Sequence, residues 1–193
     1  MNPITHFLAS WTIGERSGLG RRDRAMITWA GFLPDLDGMG VVVDGFAKRL
    51  GYEDPVLYGR WHHVILHGLF GALLLSAVGA AFARRRIAVF LWAFVAVHIH
   101  LLCDLVGSRG PAWDDAWPVH YLGPFSEALS VVWSGQWPLN AWPNILFTAL
   151  LILFVFHRAI TRGRSPLDMI NARANEAFVR TLRARWLLVR NFF

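Results

Sequence analysis

Four short stretches hold most of the side chains that could do chemistry: ITHF (4–7), PDLDG (34–38), WHHVILHG (61–68) and HIHLLCD (98–104). They offer imidazoles and carboxylates, and the whole chain has one thiol, Cys103. In HIHLLCD, His100 and Asp104 stand four apart, so on a helix they share a face. His98 lies ~200° around the axis from His100 and points elsewhere. WHHVILHG sets His63 four residues and His62 five residues before His67. PDLDG sets Asp35 and Asp37 in a turn signalled by Pro34 and Gly38. Each stretch has an ordinary reading: a hydrogen-bonded His/Asp pair, a histidine on a carbonyl, two turn aspartates, two interfacial histidines. The chemical reading is a metal centre. Imidazole and carboxylate without thiolate suit Zn, Mn or Fe.

The elements around these residues belong to a membrane. Of 193 residues, 55% are hydrophobic, only 17% are charged and ten are tryptophan. Three stretches, 64–83, 87–106 and about 144–160, approach the ~20 apolar residues that a bilayer crossing needs. The N-terminus has no basic n-region, long apolar core or small-residue cleavage site, so it does not read as a cleavable signal. One cysteine excludes an intramolecular disulfide. The net charge of +6 is spread over short turns and the tail, a topology pattern with anionic headgroups as the partner and no nucleic acid.

The expected fold is all-α: a membrane helical bundle of two antiparallel hairpins, a third spanning helix and a C-terminal amphipathic helix. In the first hairpin, 3–15 and 24–33 flank RSGLGRRD; both arms are short, about half a bilayer. In the second, 64–83 and 87–106 flank Arg84, Arg85 and Arg86. Counting at 1.5 Å per residue from each turn brings His6 opposite Asp35, and His67 opposite Cys103 and Asp104. The chemistry-bearing residues therefore gather at one end and the arginine turns at the other. An isolated ionisable residue in a membrane is costly; convergence by one count is harder to assign to chance than any single pair. Lys and Arg bias then sets a multi-pass orientation with the turns and C-terminus cytoplasmic and the site toward the outer face.

Residues 45–60 read as a polar connector. Residues 107–143 form a long loop on the site side, with Trp113, Trp117, Trp133, Trp137 and Trp142 as an interfacial belt or, alternatively, a lid. Two domains are expected: 1–160 embedded in the membrane, and 161–193 as a basic amphipathic helix. Ser165 is the expected N-cap, Pro166 the first residue and Asp168 part of the first turn. Leu167, Ile170, Ala174, Phe178, Leu182 and Trp186 form the apolar stripe, with Arg173, Arg180, Arg183 and Arg190 mostly off it. This suits an anionic membrane surface, or docking to a soluble partner.

The series Thr5-His6, Pro34-Asp35-Leu36-Asp37, His62 to His67 and His100 to Asp104 resembles a bacterial inner-membrane family of metal-dependent hydrolases, the YdjM-like proteins. It is distantly similar to the zinc-dependent phospholipase C and P1 nuclease group. Trp117-Pro118 and Pro124-Phe125-Ser126 are weaker echoes. The family's central motif reads H-R-x-x-T-H-S; here HHVILHG puts His63, Leu66 and Gly68 where Arg, Thr and Ser stand, so hydroxyls that could hold the ligands are missing. The resemblance selects His62, whereas helix spacing selects His63.

The resulting candidate ligands are His6, Asp35, Asp37, His62, His67, His100 and Asp104. Seven donors suit one or two divalent ions, read as Zn with Mn or Fe as alternatives. A pair of ions with a bridging water would stabilise attacking and leaving oxygens. The expected activity is hydrolysis of a phosphoester, on an amphipathic small molecule or a lipid, in the bacterial inner membrane. Asp37 is the candidate base that activates or orients water. The competing reading is a non-enzymatic protein that moves or senses metal or protons with the same residues; a site at one end speaks against transport, whose sites lie near the midplane. Haem between two histidines fits poorly with so many aspartates.

Overall fold

The computed structural model describes residues 1–52, 64–110, 112 and 114–191. Helix α1 (Pro3–Arg16) starts where the sequence supplies a cap: Asn2 Oδ1 accepts the Thr5 amide at 2.9 Å, and Pro3 takes the first position, where no amide is needed. The chain reverses through Gly18 at φ +70° into α2 (Arg21–Phe32). The two run antiparallel, as the first hairpin requires. A second hairpin pairs α4 (Leu69–Ala81) with α5 (Arg86–Gly107). Asp23 of α2 closes its turn, accepting the Arg84 amide at 2.7 Å and the Arg85 amide at 3.2 Å.

Helix α2 packs against α1, α4 and α5, while α1 also touches α5 and α6 (Trp142–Arg162). The contacts are built from small residues. Ala30, Ala72, Leu75, Ala93 and Val97 form one buried cluster; Ile27, Val89 and Ala96 form another. Leu8, Ala9 and Trp11 meet Leu151 and Val155 of α6. A Cβ on Gly31 would stand 2.5 Å from Ser10 Oγ and 2.8 Å from Ala96 Cβ, so glycine there permits the approach of three helices at once. Small side chains are what let helices pack closely in lipid, where burial itself supplies little drive.

The mostly helical fold matches expectation, but the candidate crossings move. The second arm of the first hairpin does not stop at residue 33. It runs on through a 3-10 segment, Leu33–Met39, into α3 (Gly40–Arg49). The resulting Arg21–Arg49 stretch, with Arg86–Gly107 and Trp142–Arg162, makes three helices long and apolar enough to cross a membrane among the described residues. The turn expected at PDLDG is a 3-10 segment that continues the helix, and α3 occupies the start of the expected connector at 45–60. In 64–83 only the 13 residues of α4 are helical, because Gly68 is extended (φ −153°, ψ −170°) and the chain before it leaves the helix axis.

The loop after α5 carries a two-stranded ribbon, β1 (Val119–His120) against β2 (Ser130–Val131). Two buried amides pin it down. Gln136 Nε2 donates to the carbonyls of Asp104, Leu105 and Trp117 at 3.1–3.2 Å, and its Oε1 accepts the Trp117 amide at 2.9 Å. Asn144 Nδ2 donates to Gly107 O at 2.9 Å. Among the belt tryptophans Trp133 and Trp142 are exposed; Trp113 lies outside the described residues.

The tail is broken where one helix was expected. After the short α7 (Leu167–Ile170), Asn171 takes extended geometry and its side chain caps α8 (Ala172–Arg190), accepting the Arg173 amide at 2.9 Å. Ser165 is not the cap of the long helix; it bonds Asn175 through backbone and hydroxyl. At this end Glu15, buried, meets Arg158, Arg164 and Arg24, and Arg24 reaches Asp168 Oδ2 at 2.6 Å.

Candidate metal centre

Four elements bring the site together. Helix α1 supplies His6 from its second turn, and the 3-10 segment supplies Asp35 and Asp37. The extended residues before α4 supply His67, and one face of α5 supplies His100 and Asp104. His6, His67, His100 and Asp104 are buried; the Asp35 side chain is 23% exposed and marks the open side. The expected helical pairing holds, with His100 Nε2 3.1 Å from Asp104 Oδ2. His98 points away, as its angle demands, to Phe94 O and the Tyr121 hydroxyl.

The ring nitrogens fix what the cluster can do. Gly31 O can only accept, so His100 Nδ1, 3.0 Å away, carries the proton. The Asp37 carboxylate likewise takes the proton of His67 Nδ1 at 2.9 Å, with the Leu66 amide adding a bond at 3.3 Å. In the neutral rings both Nε2 atoms then present lone pairs, and they face each other at 3.2 Å. Asp104 Oδ2 lies 3.5 Å from His67 Nε2, and Asp35 Oδ1 lies 3.6 Å from His100 Nε2 and 4.0 Å from His67 Nε2. Four electron-rich atoms thus converge. Ligands on a shared tetrahedral zinc, at bonds of about 2.0–2.2 Å, stand roughly 3.4 Å apart, the spacing found here.

His6 completes a second, overlapping set. His6, Asp35, His100 and Asp104 each offer one ligand atom within 4.8 Å of the others. The His6 ring stacks on His100 at 3.8 Å, and its Nε2 is 2.9 Å from Asp104 Oδ1 and 3.2 Å from Met1 O. Asp35 Oδ2 and Asp104 Oδ2 have no hydrogen-bond partner among the described residues. The donor set therefore fits a divalent ion: imidazole nitrogens and carboxylate oxygens, with His67 and His100 oriented from behind. That orientation is the usual support of a metal-bound histidine, whose second nitrogen donates to a carboxylate or carbonyl.

The family model of the YdjM inner membrane protein matches residues 1–179. The chain belongs to the YdjM inner membrane protein family. The match takes in every residue of the cluster and all three helices able to cross a membrane. No curated protein and no solved structure matches the chain, so the distant likeness to zinc-dependent phospholipase C and P1 nuclease gains no support from them.

Within this YdjM-family chain, the seven expected ligand residues divide. His6, Asp35, His67, His100 and Asp104 converge. Asp37 stands one step back, behind His67. His62, and His63 with it, lie outside the described residues. One partner escaped the sequence reading: Ser108 Oγ donates to Asp104 Oδ1 at 2.6 Å, and the Met1 amine donates to both Ser108 Oγ (2.7 Å) and Asp104. Ser108 follows Asp104 by four residues, so the same spacing that selected His100 could have selected it.

Proposed function

We propose that this protein is a membrane-bound metal-dependent hydrolase acting on a phosphoester at the end of the bundle where the cluster lies. The observation that carries the reading is the convergence of the His67 and His100 Nε2 lone pairs with carboxylate oxygens of Asp35 and Asp104. Buried lone pairs of this kind repel unless a proton or a metal cation sits among them, and only a metal ion uses the carboxylate oxygens as well. His6, Asp35, His67, His100 and Asp104 would hold one divalent ion or two, with zinc first and manganese or iron as alternatives. A bound ion supplies a water acidic enough to attack at neutral pH and screens charge on phosphoryl oxygens.

The chain's own residues supply the rest. Asp37 holds His67 by its Nδ1 proton and so keeps Nε2 directed inward, which supports an orienting role. Ser108 and His6 hold the Oδ1 side of Asp104, leaving Oδ2 to the cluster. Asp35, the most exposed of these side chains at 23%, is the residue a substrate would meet first. The arginine-rich turns would face the cytoplasm and the cluster the outer side, by charge bias alone.

Elemental mass spectrometry on detergent-purified protein tests the site, and hydrolysis of bis-p-nitrophenyl phosphate before and after chelation tests the chemistry. Bound metal that is lost on joint substitution of His67 and Asp104 by alanine is the expected result. Metal content unchanged by that substitution would overturn the proposal. Metal bound without turnover on any phosphoester would favour a metal-handling role for the same residues.

A further inference from the structure

We propose that the groove between α5 and α6 seats one acyl chain of a membrane phospholipid, presenting that lipid's headgroup at the end of the bundle that holds the His/Asp cluster. The groove has a volume of about 530 Å³. Its walls are Ile99, Leu102 and Val106 on α5, and Leu146, Phe147 and Leu150 on α6. Trp137 and Trp142 frame its loop end, and Met1 and Cys103 form part of its floor. A space so lined does not hold water, and left empty it would forfeit dispersion contacts along both helices.

Position selects the occupant. Both walls are helices long and apolar enough to cross a membrane, so the groove opens onto hydrocarbon. From Trp142 to Leu150 it runs ~12 Å along α6 at the helical rise. Half of a ~30 Å hydrocarbon core is ~15 Å, so its depth matches the chains of one leaflet. A channel this short and narrow is too small for a stable interface with a second copy, which needs on the order of 1,000 Å² or more. The indoles mark the headgroup level, where amphipathic rings settle.

Continuity with the cluster gives the groove its meaning. Met1 lines it while the Met1 amine reaches Asp104, and Cys103 precedes Asp104 on α5. A chain seated here brings a phosphate to the helix ends that carry Asp104, Ser108 and Asn144. The inference rests on the hydrolase reading for its consequence, a substrate drawn sideways from the bilayer with one tail held, but the seat itself stands or falls separately.

The test uses the full chain in vesicles of phosphatidylethanolamine and phosphatidylglycerol, with a trace of phosphatidylglycerol bearing a diazirine on one acyl chain. After irradiation, labelled residues are mapped by mass spectrometry. Leu102 and Leu150 are each 53% exposed; Leu91, at 59%, and Leu73, at 44%, lie outside the groove and serve as controls. The expected result is about tenfold more label at Leu102, Val106 and Leu150 than at the controls, the ratio that ~1.4 kcal/mol of preferential seating gives. Leu146→Trp or Leu150→Trp, filling the groove, should remove the excess while metal content stays at the wild-type level. Persistence of the label in Asp104→Ala supports the seat independently of the metal. Equal labelling of groove and controls, or crosslinks only to a second copy of the chain, would overturn it.

Discussion

Asp37 separates a ligand from a residue that orients one. Its Oδ2 accepts from His67 Nδ1 at 2.9 Å and from the Leu66 amide at 3.3 Å, on the side of the ring away from the converging Nε2 atoms. If it works through His67, its loss should weaken metal binding without abolishing it. Removing such a supporting partner costs about 10–100-fold in affinity, or ~1.4–2.7 kcal/mol. Asn retains an oxygen that both donors can reach and loses only the charge, so Asp37→Asn should fall near the tenfold end. Asp37→Ala leaves the His67 proton and the Leu66 amide without that acceptor and should approach a hundredfold. Asp104→Ala removes an oxygen in direct line with two imidazoles and should exceed both. Zinc competition against a fluorescent chelator, in detergent, gives the three affinities in one series. A loss in Asp37→Ala equal to that in Asp104→Ala would make Asp37 a ligand and refute the orienting assignment. No loss in either Asp37 variant would refute the proton bookkeeping for His67.

Gly31→Ala should destabilise the bundle by about 1–3 kcal/mol through overpacking, seen as a lower thermal midpoint, because its Cβ would stand 2.5 Å from Ser10 Oγ and 2.8 Å from Ala96 Cβ; Ala96→Gly and Ser10→Ala added to it should recover part of the loss. Gln136→Ala should cost about 1–3 kcal/mol by leaving buried carbonyls of Asp104, Leu105 and Trp117 without their donor, and limited proteolysis should then cut the 108–141 loop faster. At the turn end, Glu15→Ala should cost roughly 3–5 kcal/mol, as removing the shared partner of a buried ionic cluster does. Arg164→Ala, whose side chain is 44% exposed, should leave the melting curve nearly unchanged.

The convergence of His6, Asp35, His67, His100 and Asp104 was legible because a helix rises by a fixed amount per residue. Two antiparallel arms counted from the same turn must therefore bring given positions level. What failed were the places where one signal serves two structures. Pro34 and Gly38 signal a turn that ends the arm, but proline also opens a helical turn, and here it lies in a 3-10 segment that carries α2 into α3. The apolar run at 64–83 is long enough to cross, yet Gly68 is held extended under the β1 end, where the Leu69 amide donates to Tyr121 O at 2.7 Å. That bond joins residues more than fifty apart and has no local signature. The amides of Gln136 and Asn144 are invisible for the same reason: each caps carbonyls of α5 from across a loop. In the tail, the helical stripe ran through Asn171 without weighing that asparagine caps helices better than it continues them.

Among the described residues, two buried ionic groups stand at opposite ends of the bundle, and their difference is the strongest argument about which one has work to do. At the turn end, Glu15 meets Arg24, Arg158 and Arg164, and Arg24 meets Asp168; permanent cations answer each carboxylate. Such a network needs nothing from outside and reads as the clamp that holds α1, α2, α6 and the tail together. At the other end, Asp35 and Asp104 face imidazoles whose outer nitrogens are already committed to Gly31 O and Asp37. The Met1 amine meets Asp104 through Oδ1, while Oδ2 faces the His67 and His100 lone pairs. Protonating an imidazole would relieve part of that repulsion; a divalent cation would relieve all of it and use every converging atom. The two ends should therefore respond oppositely to metal. Adding zinc to chelator-treated protein should raise its thermal midpoint, and Asp104→Ala should abolish that rise. Glu15→Gln, although less stable from the start, should keep the rise in full. A rise that survives Asp104→Ala, or vanishes in Glu15→Gln, would mean that the cation binds elsewhere and that the lone pairs of His67 and His100 are reconciled by a proton alone.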